Sequence, residues 1–202
     1  MLAAEPDVNI APFRVVVVAA SAGGLTALGT LLAGLPSSFP LPIAVVQHLH
    51  PGHRSLIADI LGRRTRLRVT EVRTDDRLEP GTVYIAAPGA HLEIVEQAIH
   101  QTHGAPVHFL RPSADRLFSS AAAGGKVIAV ILTGTGSDGS EGARAIKSHG
   151  GVVIAQDEAT AEFFGMPRSA IESGMVDYVL PLDQIAAALI ALTEERHGAR
   201  DD

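Results

Sequence analysis

The 202-residue chain has no cysteine. That excludes a disulfide frame, thiolate chemistry and cysteine-bound zinc, and it fits a reducing compartment. It also lacks a basic excess: 16 Lys and Arg stand against 22 Asp and Glu, for a formal net charge of −6. A nucleic-acid protein needs a basic face to neutralise phosphates, so nucleic acid is not an expected partner. Arg63 to Arg68 is the single local exception. Long apolar runs are missing too. The longest, Val15 to Ala20 and Ile185 to Leu192, fall far short of the roughly 20 residues that cross a bilayer. The first residues carry Glu5 and Asp7 and no apolar core, unlike a secretion signal. There is no internal repeat and no long Pro/Gly/Ser linker. What remains is a chain 47% hydrophobic and 19% charged, enough for one substantial core. The expectation is a soluble, cytoplasmic, single-domain protein spanning 14–196, with a flexible lead-in at 1–13 and a frayed tail at 197–202.

The most informative stretch is VVVVAASAGG, Val15 to Gly24. Four consecutive valines call for burial on both faces, as in a parallel sheet under helices. The run ends at one hydroxyl, Ser21, and the small residues behind it let the backbone turn into a helix. Leu25, Leu28, Leu32 and Leu35 predict that helix from about Ala22 to Gly34. Ile43 to Gln47 is a second strand, ending at His48. After the turn at His50 to Ser55, Leu56, Ile57, Ile60 and Leu61 mark one side of another helix. From 68 to 108 short β-rich runs separated by turn residues predict an antiparallel hairpin excursion. The βα rhythm then returns with a helix over Ser113 to Ala123 and a strand over Val127 to Leu132. That strand runs into Thr133-Gly134-Thr135-Gly136-Ser137-Asp138-Gly139, and Ser140 is placed to cap the next helix through Lys147. A strand at Val152 to Ala155, a loop at Phe163 to Pro167, a short strand at Tyr178 to Leu180 and an amphipathic helix marked by Ile185, Leu189 and Leu192 complete an α/β, doubly wound, mainly parallel sheet flanked by helices.

Ser21, His48 and Asp138 share one position: each directly follows or closely trails a buried-type strand. Carboxyl ends of neighbouring parallel strands lie on one edge, where ligands bind. A serine hydroxyl becomes nucleophilic when an imidazole takes its proton, and a carboxylate fixes that imidazole's tautomer. The Ala22 amide, at a helix start, and a second amide around Thr135 would serve a developing oxyanion. Other readings stay open on the residues alone. Ser21 can be a simple helix cap. Ala19 to Gly23 lacks the first glycine of G-x-S-x-G, and no phosphate-loop pattern is completed. His48, His50 and His53 complete no metal-binding pattern, and Phe163 and Phe164 fit packing as well as a substrate groove. No cofactor or metal is called for.

Taken together, Ser21 to Gly24, Gln47-His48, Pro80-Gly81 with Tyr84-Ile85-Ala86, Arg111-Pro112-Ser113, Leu132-Thr133-Gly134 through Gly139, and Phe164-Gly165-Met166-Pro167 resemble the catalytic domain of the chemotaxis protein-glutamate methylesterases. The motifs fall in the same order from about residue 14 to 193. The resemblance implies a serine hydrolase acting on γ-glutamyl methyl esters of chemoreceptor cytoplasmic helices, often with glutamine deamidation. It maps the triad onto Ser21, His48 and Asp138 and the oxyanion and substrate contacts onto Ala22, Thr135, Gly136 and Met166. Membrane contact would be peripheral, through receptors. Two departures stand out. Thr135 replaces the methionine usual in the family loop, and only a short lead-in precedes the first strand where the familiar enzymes carry a receiver domain. Control by a separate regulatory protein is then the expectation. A receptor-docking module without chemistry, or an esterase for another methyl ester, are the competing readings.

Overall fold

The computed structural model of the chain describes residues 13–48 and 56–194. The expected lead-in up to residue 12, the turn at 50–55 with His50 and His53, and the tail 197–202 lie outside the described residues.

The elements alternate as the apolar pattern demands. They are β1 (Val16–Ala20), α1 (Gly24–Ala33), β2 (Ile43–Gln47), α2 (Ile57–Gly62), β3 (Arg68–Glu71), β4 (Asp76–Arg77), β5 (Thr82–Ile85), β6 (His91–Val95), β7 (Ala98–Thr102), α3 (Ala114–Ala122), β8 (Ile128–Ile131), α4 (Ser140–Ser148), β9 (Val152–Gln156), α5 (Gly165–Glu172), β10 (Tyr178–Leu180) and α6 (Leu182–Glu194). Seven strands form one sheet in the order β10-β9-β8-β1-β2-β5-β3, with every pairing parallel.

All residues of β1, β2, β5 and β8 are buried. Successive side chains of β1 face opposite layers. Val15, Val17 and Ala19 pack with Leu117, Phe118, Ile146 and Met166 from α3, α4 and α5. Val16, Val18 and Ala20 pack with Leu28, Leu32, Leu61, Ile185 and Leu189 from α1, α2 and α6. This is the three-layer solution for strands apolar on both faces.

The region 68–108 divides in a way its spacing does not reveal. β4, β7 and β6 make a separate antiparallel sheet, with β6 and β7 joined as a hairpin across Glu96-Gln97. β3 and β5, however, join the main sheet in parallel. Thr82–Ile85 is buried throughout, which requires layers on both sides and so a place inside the large sheet. Helix starts also differ from expectation. Gly23 and Gly139, both with left-handed φ, occupy the cap positions of α1 and α4, and Ser140 is the first residue of α4 rather than its cap.

Strand order reverses at β1, whose neighbours β2 and β8 lead to opposite ends of the sheet. That reversal opens a crevice beyond the carboxyl ends of β1 and its neighbours, the usual ligand position in such sheets. Ser21 and His48 immediately follow β1 and β2, and the glycine-rich loop follows β8.

Candidate active site

Register brings the first two residues side by side. Ala20 of β1 pairs with Gln47 of β2, so Ser21 and His48 are the next residues along two parallel strands, about 4.8 Å apart. The His48 amide donates to the Ala20 carbonyl at 3.0 Å, and the Ser21 amide donates to the Thr133 carbonyl, beyond β8, at 3.0 Å. The Gln47 side chain crosses between the two turns, its Nε2 donating to the carbonyls of Ser21 at 2.7 Å and His48 at 3.1 Å. A Cβ on Gly24 would stand 2.1 Å from Gln47 Oε1, so the second glycine of the turn is the room that Gln47 occupies.

His48 meets Asp138 directly: Nε2 and Oδ2 are 2.7 Å apart, with the two side chains 12% and 3% exposed. With Nε2 donating to the carboxylate, Nδ1 carries the lone pair. Ser21 is half-buried beside this pair, and its hydroxyl makes no hydrogen bond among the described residues.

Asp138 is held by the amino end of α3. Its Oδ1 accepts from Ser113 Oγ at 2.9 Å and from the Asp115 amide at 3.0 Å, and its Oδ2 accepts from the Ala114 amide at 2.6 Å. Burial pushes its carboxyl upward, but the His48 hydrogen bond and these amides outweigh burial and hold it down at about 2. The exchange is reciprocal. Asp115, in the first turn of α3, accepts from the Gly139 and Gly142 amides at the start of α4, at 2.8 and 2.7 Å. Each helix start therefore receives the other's carboxylate, satisfying amide donors that lack a partner within the helix. Burial, joined by the nearby Asp138 charge, pushes the Asp115 carboxyl up to about 6, against the lowering effect of the two amides.

Ser113 is itself held by a residue the sequence did not single out. His91 is fully buried, its Nδ1 accepts from the Ser113 amide at 3.2 Å and its Nε2 donates to the Ala105 carbonyl at 3.1 Å. That arrangement needs the neutral ring, and burial accordingly lowers its pKa.

Thr133 ties the far wall together. Its hydroxyl donates to the Ala22 carbonyl at 3.0 Å and accepts from the Phe163 amide at 2.8 Å. The Gly134 amide donates to the Phe163 carbonyl, and the Met166 amide donates to the Gly134 carbonyl, both at 2.8 Å. A Cβ on Gly134 would lie 2.3 Å from Met166 Sδ and 2.8 Å from Ser21 Cβ. Met166 is thus buried against the back of the Ser21 turn, while Thr135 and Gly136 are exposed at its mouth. The Ala22 and Thr135 amides have no acceptor among the described residues, which leaves both donors free for a ligand.

A cavity of about 700 Å³ lies along the glycine-rich loop, lined by Thr135, Gly136, Asp138 and Ser169, and a smaller one of about 200 Å³ opens beside His48. A third, about 1080 Å³, lies around Arg14, Gly124 and the β6–β7 hairpin, on the side where β1 begins. It is remote from the crevice. One His/Asp/Glu cluster among the described residues, His108, Asp115 and Glu141, brings possible ligand atoms within 4.8 Å of one another. One Asp115 oxygen there is already committed to the α4 amides.

The whole-sheet likeness decides the relationship. Residues 16–189 match the model of the CheB methylesterase family. The chain belongs to that family. A protein-glutamate methylesterase/protein-glutamine glutaminase of Anaeromyxobacter dehalogenans is 49% identical over 182 residues, covering 89% of this chain and 53% of the relative. The protein-glutamate methylesterase FrzG of Myxococcus xanthus is 43% identical over 182 residues, covering 89% and 54%. The CheB-family chain therefore spans about half the length of these two curated relatives. The solved CheB methylesterase catalytic domain of Thermotoga maritima is 40% identical, covers 89% of this chain and 98% of its own, and superposes with a TM-score of 0.85.

Proposed function

We propose that this CheB-family chain is a serine hydrolase that demethylates γ-glutamyl methyl esters on the cytoplasmic helices of chemoreceptors, with glutamine deamidation by the same route. The observation that carries the reading is the 2.7 Å contact between His48 Nε2 and Asp138 Oδ2, at the strand ends beside Ser21. The names of the relatives support a methylated protein glutamate as the substrate, and the resemblance of the motifs supports the chemoreceptor helices.

Ser21 Oγ attacks the ester carbonyl while His48 Nδ1 takes the hydroxyl proton, and Asp138 steadies the imidazolium through Nε2. The Ala22 and Thr135 amides receive the oxyanion. When the tetrahedral species collapses, the carbonyl–oxygen bond to the methoxy group breaks, and the His48 proton leaves with methanol. Water then adds to the acyl-serine, giving its proton to His48, and the second collapse returns that proton to Ser21 and frees the glutamate carboxylate. With a glutamine substrate the leaving group is ammonia. Apo enzymes often hold the nucleophile and base loosely until substrate arrives, which accommodates the unbonded Ser21 hydroxyl.

Incubation with a methyl-labelled receptor fragment tests the proposal. Methanol release is expected from the wild type and its loss from Ser21→Ala, with a serine-directed phosphonate forming its adduct on Ser21. Equal release by Ser21→Ala removes the nucleophile from the proposal, and a folded protein that releases nothing and takes no phosphonate is a docking module.

A further inference from the structure

The loop between β7 and α3 carries a feature that the proposed chemistry does not use. Val107 and Leu110 pair as a two-residue hairpin, the Val107 amide donating to Leu110 at 3.0 Å and the Leu110 amide donating to Val107 at 2.8 Å. The two residues at the tip, His108 and Phe109, have φ of 47° and 66°. Turns of this kind need positive φ at both central positions and are normally made by Asn-Gly or Gly-Gly. A bulky side chain is strained there. Phe109 is nevertheless fully exposed, so burial returns nothing for that strain within the chain itself.

The position of Phe109 explains what the strain serves. With Pro106, Leu110 and Pro112 it supplies apolar lining to the 200 Å³ cavity that His48, Gly89 and Arg111 also line. That volume is below the range of small-molecule sites, about 300–1,000 Å³, and suits one side chain of a larger partner. A cavity sharing a wall with His48 lies next to any group reacting at Ser21, so the side chain entering it belongs to the reacting molecule. On an α-helix, the neighbour presented on the same face lies three or four residues away. Beyond β8, on the Gly134 side, Phe163 is a second exposed aromatic, so aromatic surface is present on both flanks of Ser21.

We infer that the strained His108-Phe109 tip is a substrate-recognition element, with Phe109 covering an apolar side chain one helical turn from the reacting glutamyl group of the protein substrate. The inference rests on the methylesterase reading for the identity of that substrate. Exposed aromatics that become fully desolvated are the usual anchors of protein contacts.

Two variants separate recognition from folding. In a Ser21→Ala background, which holds ester without turnover, Phe109→Ser is expected to weaken binding of a methylated receptor cytoplasmic fragment by about tenfold or more. The double variant His108→Asn/Phe109→Gly relieves the turn, so it is expected to raise the thermal midpoint while weakening the same binding to the same degree. Affinity unchanged in both variants overturns the inference, as does a fragment that does not bind the Ser21→Ala protein. Methanol release by the otherwise unmodified chain is measured in parallel. Its absence counts against the hydrolase reading alone, because the affinity comparison requires no turnover.

Discussion

At the scale of single residues, the candidate site is a set of side chains whose charges are fixed by what surrounds them. Asp138 is buried, yet three donors from the start of α3 and the His48 ring hold it ionised down to about pH 2. Its folded value lies below the unfolded value of about 3.9, so its stabilising contribution is complete above that value and is lost as pH falls toward 2. Any acid limb of activity above pH 4 must therefore come from another group. Replacing Asp138 by Asn keeps the shape but lets the amide present a donor to His48 or to the α3 amides, disturbing the tautomer that leaves Nδ1 basic. Methanol release by Asp138→Asn is expected to fall by about 10⁴-fold, the order of loss that the same exchange of carboxylate for amide causes in serine protease triads. A stopped assay across pH 5 to 8 checks it. A loss below tenfold would take the carboxylate out of the mechanism.

At the scale of elements, α3 and α4 are joined by exchanged carboxylates, and α4 starts without the Ser140 cap that its sequence suggests. Ser113 caps α3, its hydroxyl accepting from the Arg116 amide at 3.5 Å while donating to Asp138 at 2.9 Å. Asp115 takes the place expected of Ser140. Its carboxyl is raised to about 6, above its unfolded value, so the stability it adds is fully present below about pH 4 and is lost as pH rises through 6. Asp115→Asn keeps an oxygen for the Gly139 and Gly142 amides and removes the charge. The expected result is a thermal midpoint at pH 7 equal to or above that of the wild type, with the rise in stability between pH 6 and 4 abolished. Asp115→Ala leaves both amides without their acceptor and is expected to cost about 2 to 3 kcal/mol. Scanning calorimetry at several pH values distinguishes the two. These exchanges explain what could and could not be read from sequence. The placing of Ser21, His48 and Asp138 at one edge of the sheet was legible because a buried strand leads into each, directly for Ser21 and His48 and through the glycine-rich loop for Asp138. The contacts made by Asp115, Gln47, His91 and Thr133 were not, because each acts on a partner at least 20 residues away that only the folded sheet brings near. The parallel placing of β5 was hidden for a related reason: a short strand buried on both faces looks the same as a hairpin strand until its layers are known.

At the scale of the whole molecule, one sheet separates two cores with different duties. The layer of α3, α4 and α5 carries Asp138's supports and Met166, whereas the layer of α1, α2 and α6 supports the sheet from the opposite face. Phe118 is fully buried in the first layer, with its Cβ against Gly142 and its ring near Gly139, the two residues whose amides bind Asp115. Leu189 is equally buried in the second layer, on α6. Phe118→Ala is expected to cost about 3 to 5 kcal/mol and Leu189→Ala about 2 to 5 kcal/mol. At about 2 to 4 °C per kcal/mol for a domain of this size, both lower the thermal midpoint by roughly 10 °C. Their effects on turnover should diverge. Below the transition, Phe118→Ala loosens the α3–α4 junction and so the seat of Asp138, and kcat for methanol release is expected to drop about tenfold. Leu189→Ala, at matched folded fraction, is expected to keep kcat within twofold. Parallel losses of kcat in the two variants would mean that the layers share the task of positioning the site.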